Sequence, residues 1–256
     1  MLFNEEPFLD RFAVAAEMGF DGVELLFPYS FDKRELRGLL IRHKLQLVLH
    51  DMPAGDWDSG ERGIACLPDR KCEFEASVEL AIEYARALNC PRLNCLAGIA
   101  PANADPHLIR KTLVQNLRLA AQKAAVAGLE VLLEPINSVD MPGYYVTRSQ
   151  QALNIIADAE AKNLKLQYDV YHMQIMEANL TGTIRDHLDK IGHIQIADHP
   201  GRHEPGTGKI DFSSIFQCLD QCRYTGWVGC EYQPKIDTKR SLQWLAATAS
   251  RTRPDC

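Results

Sequence analysis

The hydrophobic positions of this chain fall into short apolar runs separated by longer stretches of helical spacing. Seven runs read as strands: GVELLFP (22–28), LQLVLHD (45–51), RLNCLAG (92–98), EVLLEPI (130–136), LKLQYDV (164–170), IGHIQIA (191–197) and GWVGCEY (226–232). Between them ELRGLLIRH, EASVELAIEYARAL and HLIRKTLVQNLRLAAQKAAVAG repeat apolar residues every three or four positions. The last of these ends at Gly128, a residue type that stops helices. Strand and helix alternating to the end of a 256-residue chain predict an α/β fold, a (β/α)8 TIM-type barrel in one domain over 1–256. One strand is short of the count. A helix begins near Pro7, leaving only Met1, Leu2 and Phe3 ahead of it. Either all or part of the first strand is lacking, or residues upstream of Met1 belong to the natural protein. A doubly wound open sheet is the alternative, but the glycine-rich first turn such sheets use for dinucleotides is absent.

The last four strands carry polar residues where a fully buried sheet would not. Strand periodicity sets Val131 and Leu133 against Glu130, Leu132 and Glu134, and Leu166 and Tyr168 against Lys165, Gln167 and Asp169. It likewise sets Ile194 and Ile196 against His193 and Gln195, and Val228 and Cys230 against Gly229 and Glu231. Helices require an apolar outer face, so the polar set points into the barrel. Glu134, Asp169 and Glu231 fall at C-terminal strand ends, where barrel enzymes keep their sites, with Gln195 slightly further in. Neighbouring strands are about 4.8 Å apart, so the four side chains can converge. Three close carboxylates cannot all stay ionised without a cation. With one amide oxygen they form a hard oxygen set that suits Mg2+ or Mn2+ better than Zn2+.

Bulk properties narrow the class. A net charge of −6 with no basic run disfavours nucleic acid or an anionic membrane as partner. Eight cysteines form no C-x-x-C pair and several sit in apolar runs, as buried thiols of a reducing cytosol do. The acidic start MLFNEEPFLDRF lacks the apolar core of a signal peptide, and no run approaches bilayer length. A cytoplasmic protein is expected.

LLEPIN, QYDVYHMQ, GHIQIADHPGRHEPGTG, GWVGCEYQP and PAGDWDSGERGIACLP (53–68) together resemble the hydroxypyruvate isomerases of the xylose-isomerase-like barrel group, across essentially the whole chain. The resemblance implies that Glu134, Asp169, Gln195 and Glu231 hold the metal and that Glu134 and Glu231 transfer protons. The implied reaction interconverts hydroxypyruvate and tartronate semialdehyde through an enediolate, without a redox cofactor. Family members carry a short strand just ahead of the segment matching Met1–Phe3, which fits a lacking first strand.

Other polar residues are candidates for substrate contact. His172 lies three residues past Asp169, and His50 ends the strand at 45–51. The substrate carboxylate needs a cation. Arg202 is the first candidate, unless it pairs locally with Glu204, and Arg62 in the long loop at 52–69 is the second. GTG at 206–208 reads as a turn rather than a phosphate loop. The rival functions are 2-oxo-tetronate isomerisation, keto-sugar 3-epimerisation, abasic-site cleavage and non-catalytic sugar-acid binding. The group's epimerases place a metal-binding histidine where this chain has Gln195, and its nucleases use a histidine-rich zinc cluster.

Overall fold

The structure, a computed structural model, describes residues 1–245; Cys256 lies outside the described residues. Seven strands form one parallel sheet: β1 (Gly22–Leu25), β2 (Gln46–Asp51), β3 (Arg92–Cys95), β4 (Glu130–Leu133), β5 (Leu164–Asp169), β6 (Ile191–Ile196) and β7 (Val228–Cys230). Each pairs with the next in chain order and the order never reverses, which separates the sheet from a doubly wound one. The result is a nearly closed barrel. Among the described residues β7 and β1 share no ladder, and Met1–Phe3 form no strand. The seam expected from the strand count is therefore present.

In chain order the first six α-helices are α1 (Arg11–Glu17), α2 (Lys33–His43), α3 (Lys71–Leu88), α4 (Pro106–Val126), α5 (Ser149–Ala159) and α6 (Val170–Met176). The helices follow the predicted periodicity, and their ends are set locally. Asp32 caps α2 by accepting from the amides of Arg34 at 2.7 Å and Glu35 at 3.2 Å. Asp105 caps α4, whose first position is a proline. The buried face of α4 carries Ile109, Leu113, Leu117, Ala120 and Ala124. With α3 it joins the main core, which also holds the outward residues Leu93, Val131, Leu133, Leu166, Ile194 and Ile196. A small second cluster of Val48, Leu49 and Leu132 with Trp227 plugs the barrel interior. The seven cysteines among the described residues are unpaired, four of them buried. No helix of the described residues is long and apolar enough to cross a membrane.

One irregularity redirects the site. Pairing between β1 and β2 steps from Val23–Leu47 to Glu24–Leu49, leaving Val48 without a partner. Such an extra residue reverses the side-chain alternation beyond it. Val48 and Leu49 both join the interior cluster, so His50 turns outward and Asp51 turns in.

Candidate active site

The polar interior gathers at the C-terminal ends of the strands. Glu134 follows β4, Asp169 ends β5, and His172 lies in the first turn of α6 (Val170–Met176). All three are buried, and each offers a ligand atom within 4.8 Å of the others', so together they could hold a metal ion. Asp169 is fixed by its second task, capping α6 through a 2.8 Å bond from the Tyr171 amide. Its other oxygen faces His172 Nε2 at 3.5 Å and Arg202 Nη2 at 3.4 Å. Glu231, just past β7, accepts from Arg202 Nη2 at 2.7 Å. Arg202 is therefore turned inward across Asp169 and Glu231, and its guanidinium lies over the Tyr171 ring. The carboxylate of Glu204 instead accepts from the Lys235 amide.

Gln195 stands beside this group in a different network. Its Nε2 donates to Glu24 Oε2 at 2.7 Å and its Oε1 accepts from Gln167 Nε2 at 2.6 Å. Glu24 reaches across from β1 and meets His193 Nε2 at 2.7 Å with its other oxygen. Its side chain lies against Gly229, where a Cβ would collide with the carboxylate. On the other flank, Asn94 Nδ2 donates to Glu134 Oε2 at 2.9 Å and to Asp51 Oδ1 at 3.1 Å.

Electrostatics divides these carboxyls into two kinds. Burial raises the Glu134 pKa well above its ordinary value, and repulsion from Glu231, Asp169 and Asp51 raises it further. Burial likewise raises Asp51, with help from Glu231. For Asp169 and Glu231, burial outweighs the attraction of Arg202, and both are raised. At Glu24 burial also pushes upward, but His193 and the bond from Gln195 win, and the carboxyl lies below its ordinary value. Burial holds His172 neutral by lowering its pKa to about 3. Three buried carboxyls, Asp51, Glu134 and Asp169, thus crowd with the partly buried Glu231 near one guanidinium, which bonds only Asp169 and Glu231 among them. The buried amide oxygens of Asn94 and Gln167 have no partner. An oxygen-rich site with surplus negative charge fits a hard divalent cation.

The remaining candidates lie elsewhere. His50 packs edge-on against Tyr29, with Nδ1 3.2 Å from the Tyr29 hydroxyl. Arg62 stacks on Trp57 at 4.0 Å and donates to the Trp57 and Glu61 carbonyls within its own loop. The GTG turn wraps a carboxylate of the chain itself: Asp198 accepts from the amides of Gly206, Gly208 and Ile210. Sequence reasoning confined to the last four strands passed over Glu24, Asp51 and Asn94. Alternation in GVELLFP and RLNCLAG signals Glu24 and Asn94, whereas only the bulge at Val48 brings in Asp51.

With the geometry in place, likeness to known proteins decides the family. A profile described as a xylose isomerase-like TIM barrel matches residues 12–248. The chain is 51% identical over 245 residues to the hydroxypyruvate isomerase of Escherichia coli K12, covering 96% of this chain and 95% of that protein. The chain belongs to the hydroxypyruvate isomerase family of xylose isomerase-like TIM barrels. Within the same family, a 2-oxo-tetronate isomerase of Cupriavidus necator is 44% identical, over 96% of this chain and 94% of that protein. A crystal structure from Brucella melitensis, described as an AP endonuclease of family 2, superposes with a TM-score of 0.94 at 43% identity. It covers 96% of this chain and 95% of that one.

Proposed function

We propose that this isomerase interconverts hydroxypyruvate and tartronate semialdehyde, with Glu134 and Glu231 carrying the protons. The observation that supports the reading is two glutamates with raised pKa values, Glu134 buried and Glu231 partly buried, on either side of Asp169 and Arg202. A proton relay needs one carboxyl ionised and one protonated near neutral pH, and mutual repulsion in a buried site favours that state. One glutamate takes a proton from carbon 3 of hydroxypyruvate, and the C–H electron pair becomes the C2–C3 double bond. The other delivers a proton to carbon 2. The hydroxyl proton passes from the oxygen on carbon 3 to that on carbon 2, leaving an aldehyde.

A divalent cation, Mg2+ or Mn2+, would be held by Glu134, Asp169 and Glu231, with the second lone pair of the Gln195 amide oxygen as a further donor. When bound, such an ion stabilises negative charge developing on the two substrate oxygens. Arg202 is the partner for the substrate carboxylate: besides its engaged Nη2 it has a buried Nε without a partner. The nearest alternative keeps this machinery and lengthens the substrate by one hydroxymethyl carbon, to a 2-oxo-tetronate. Abasic-site cleavage is less well supported, since one histidine, His172, joins the carboxylates.

The test is incubation with hydroxypyruvate, a 2-oxo-tetronate or abasic DNA, with Mg2+ or Mn2+ in deuterium oxide. Proton NMR follows the two acids and a gel follows the DNA. Isomerisation of hydroxypyruvate with deuterium entering at carbon is expected. Glu134→Gln and Glu231→Gln should each lower turnover by about two to four orders of magnitude, the usual worth of a positioned acid or base. Near-wild-type turnover in both variants would remove this pair from the chemistry.

A further inference from the structure

The cluster of Glu134, Asp169 and His172 admits two arrangements, depending on which ring nitrogen of His172 holds the proton. Geometry around Asn137 decides between them. Asn137 is fully buried in the segment after β4, and its amide has only one satisfactory orientation. Its Oδ1 accepts from two main-chain amides, Val139 at 3.0 Å and Asp140 at 2.8 Å. Turning the amide over would set the NH2 group against both N–H donors. Nδ2 is therefore the atom that faces Asp140 Oδ2 at 3.0 Å and His172 Nδ1 at 2.7 Å. An amide NH2 can only donate. His172 Nδ1 must accept, so it carries no proton.

We infer that Asn137 holds His172 in the Nε2–H tautomer, giving the site a neutral hydrogen-bond donor rather than a metal-ligating nitrogen. The Nε2–H points at the carboxylate pair, 3.5 Å from Asp169 Oδ2 and 4.0 Å from Glu134 Oε1. A cation entering between those carboxylates meets a proton at His172, so its ligands come from oxygen. Asn137 is itself held: Asp140, which takes its second N–H, also accepts from the Tyr171 hydroxyl at 2.7 Å. In the reaction proposed above, the donor would face the substrate oxygen on which negative charge grows. That last step rests on the isomerase reading; the tautomer does not.

The experiment therefore reads the tautomer without turnover. Protein labelled with 15N-histidine is prepared metal-free, and the His172 ring nitrogens are assigned by their loss in His172→Asn. Long-range proton–nitrogen correlations should show Nδ1 unprotonated and Nε2 protonated, unchanged when Mg2+ is added. Asn137→Asp keeps the side-chain size and both main-chain bonds but presents an acceptor to Nδ1, so a proton should appear there. In an isomerase assay the same variant should lose about 10- to 100-fold in turnover, as orienting partners of site residues do. A protonated Nδ1 in the wild type, or loss of the Nε2 proton when Mg2+ binds, would overturn the inference even if the isomerase reaction is confirmed. Should Asn137→Asp not fold, the wild-type spectra decide alone.

Discussion

The barrel holds acids in two different ways on its two sides. From β3 to β6 each strand pairs in parallel with the next, with one register shift at Gly192 between β5 and β6, and beyond it Asp169 sits directly beside Gln195. Acids there are packed together, raised in pKa and short of counter-charge. At the seam between β7 and β1 no ladder joins the edges, and a cavity of about 1740 Å3 opens along them. Glu24 spans the gap and, unlike Asp51 and Glu231, which also line that cavity, it is fully paired and lowered in pKa. One side spends stability to concentrate charge. The other uses one charge to make up for missing main-chain bonds. Unpaired strand edges are a structural liability, and a carboxylate buttressed by His193 and Gln195 ties β1 to β6 over the top of β7.

The contrast is broken most severely at Asp169. It caps α6, faces His172 and shares Arg202 with Glu231. Asp169→Ala should lower affinity for Mg2+ or Mn2+ by about two orders of magnitude or more, since even outer partners of a metal site are worth 10- to 100-fold. Calorimetric titration checks this. Affinity within a few-fold of wild type would move the cation away from β5.

The second-largest effect belongs to the seam. In Glu24→Gln one of the two contacts falls to an NH2. Turned to Gln195 it meets another NH2, and turned to His193 it needs the ring proton on Nδ1, so at best both bonds survive without the charge that strengthens them. Hydrogen bonds to a charged group are worth about 1.5–3 kcal/mol, which corresponds to a Tm lower by roughly 3–12 °C for a chain of this size. Thermal melts of the metal-free protein test this. A Tm within a degree of wild type would show that the apolar cover of the seam, and not Glu24, holds it.

How far the sequence reveals these two sides follows from what each depends on. Strict alternation makes the closed side legible: EVLLEPI, LKLQYDV and IGHIQIA name Glu134, Asp169 and Gln195 before any coordinate, and the strand count announces the seam. Partners are less legible. Gln195 stands inside the barrel as alternation requires, yet it bonds to Glu24, which is 171 positions away in the chain. His50 and Asp51 exchange faces because Val48 is an extra residue in β2, and nothing in LQLVLHD marks that bulge. Arg202 could be read as pairing with nearby Glu204, and its turn toward Asp169 and Glu231 depends on the path of the loop after β6. The seven observed strands are also shorter than the apolar runs by up to four residues, as at Val228–Cys230 against 226–232. Those runs continue as the loops that carry Glu134 and Glu231.

The smallest effect, and the one that sets the two sides against each other in a single measurement, is the pH dependence of stability. Glu134, Asp51, Asp169 and Glu231 have pKa values raised on folding, chiefly by burial. The folded state then binds more protons than the unfolded one between the ordinary carboxylate range and the raised values. Their contribution is present below that range and is lost as pH rises through the raised pKa values. Glu24 has the opposite sign, because its pKa is lowered on folding by His193 and Gln195 against the cost of burial. What it contributes is present above the ordinary glutamate range and is lost as pH falls through its lowered value. Without metal, stability should therefore climb as pH drops from 8 toward 5, then fall again once Glu24 titrates. Saturating Mg2+ should flatten the first limb, since a bound cation supplies the missing counter-charge, and leave the second limb in place. Glu24→Gln should erase its share of the second limb and spare the first. Melts from pH 3 to 8 with Mg2+ or a chelator provide the comparison. A metal-free profile that rises steadily from pH 5 to 8 would mean that the clustered acids are not raised, and the difference between the two sides would vanish.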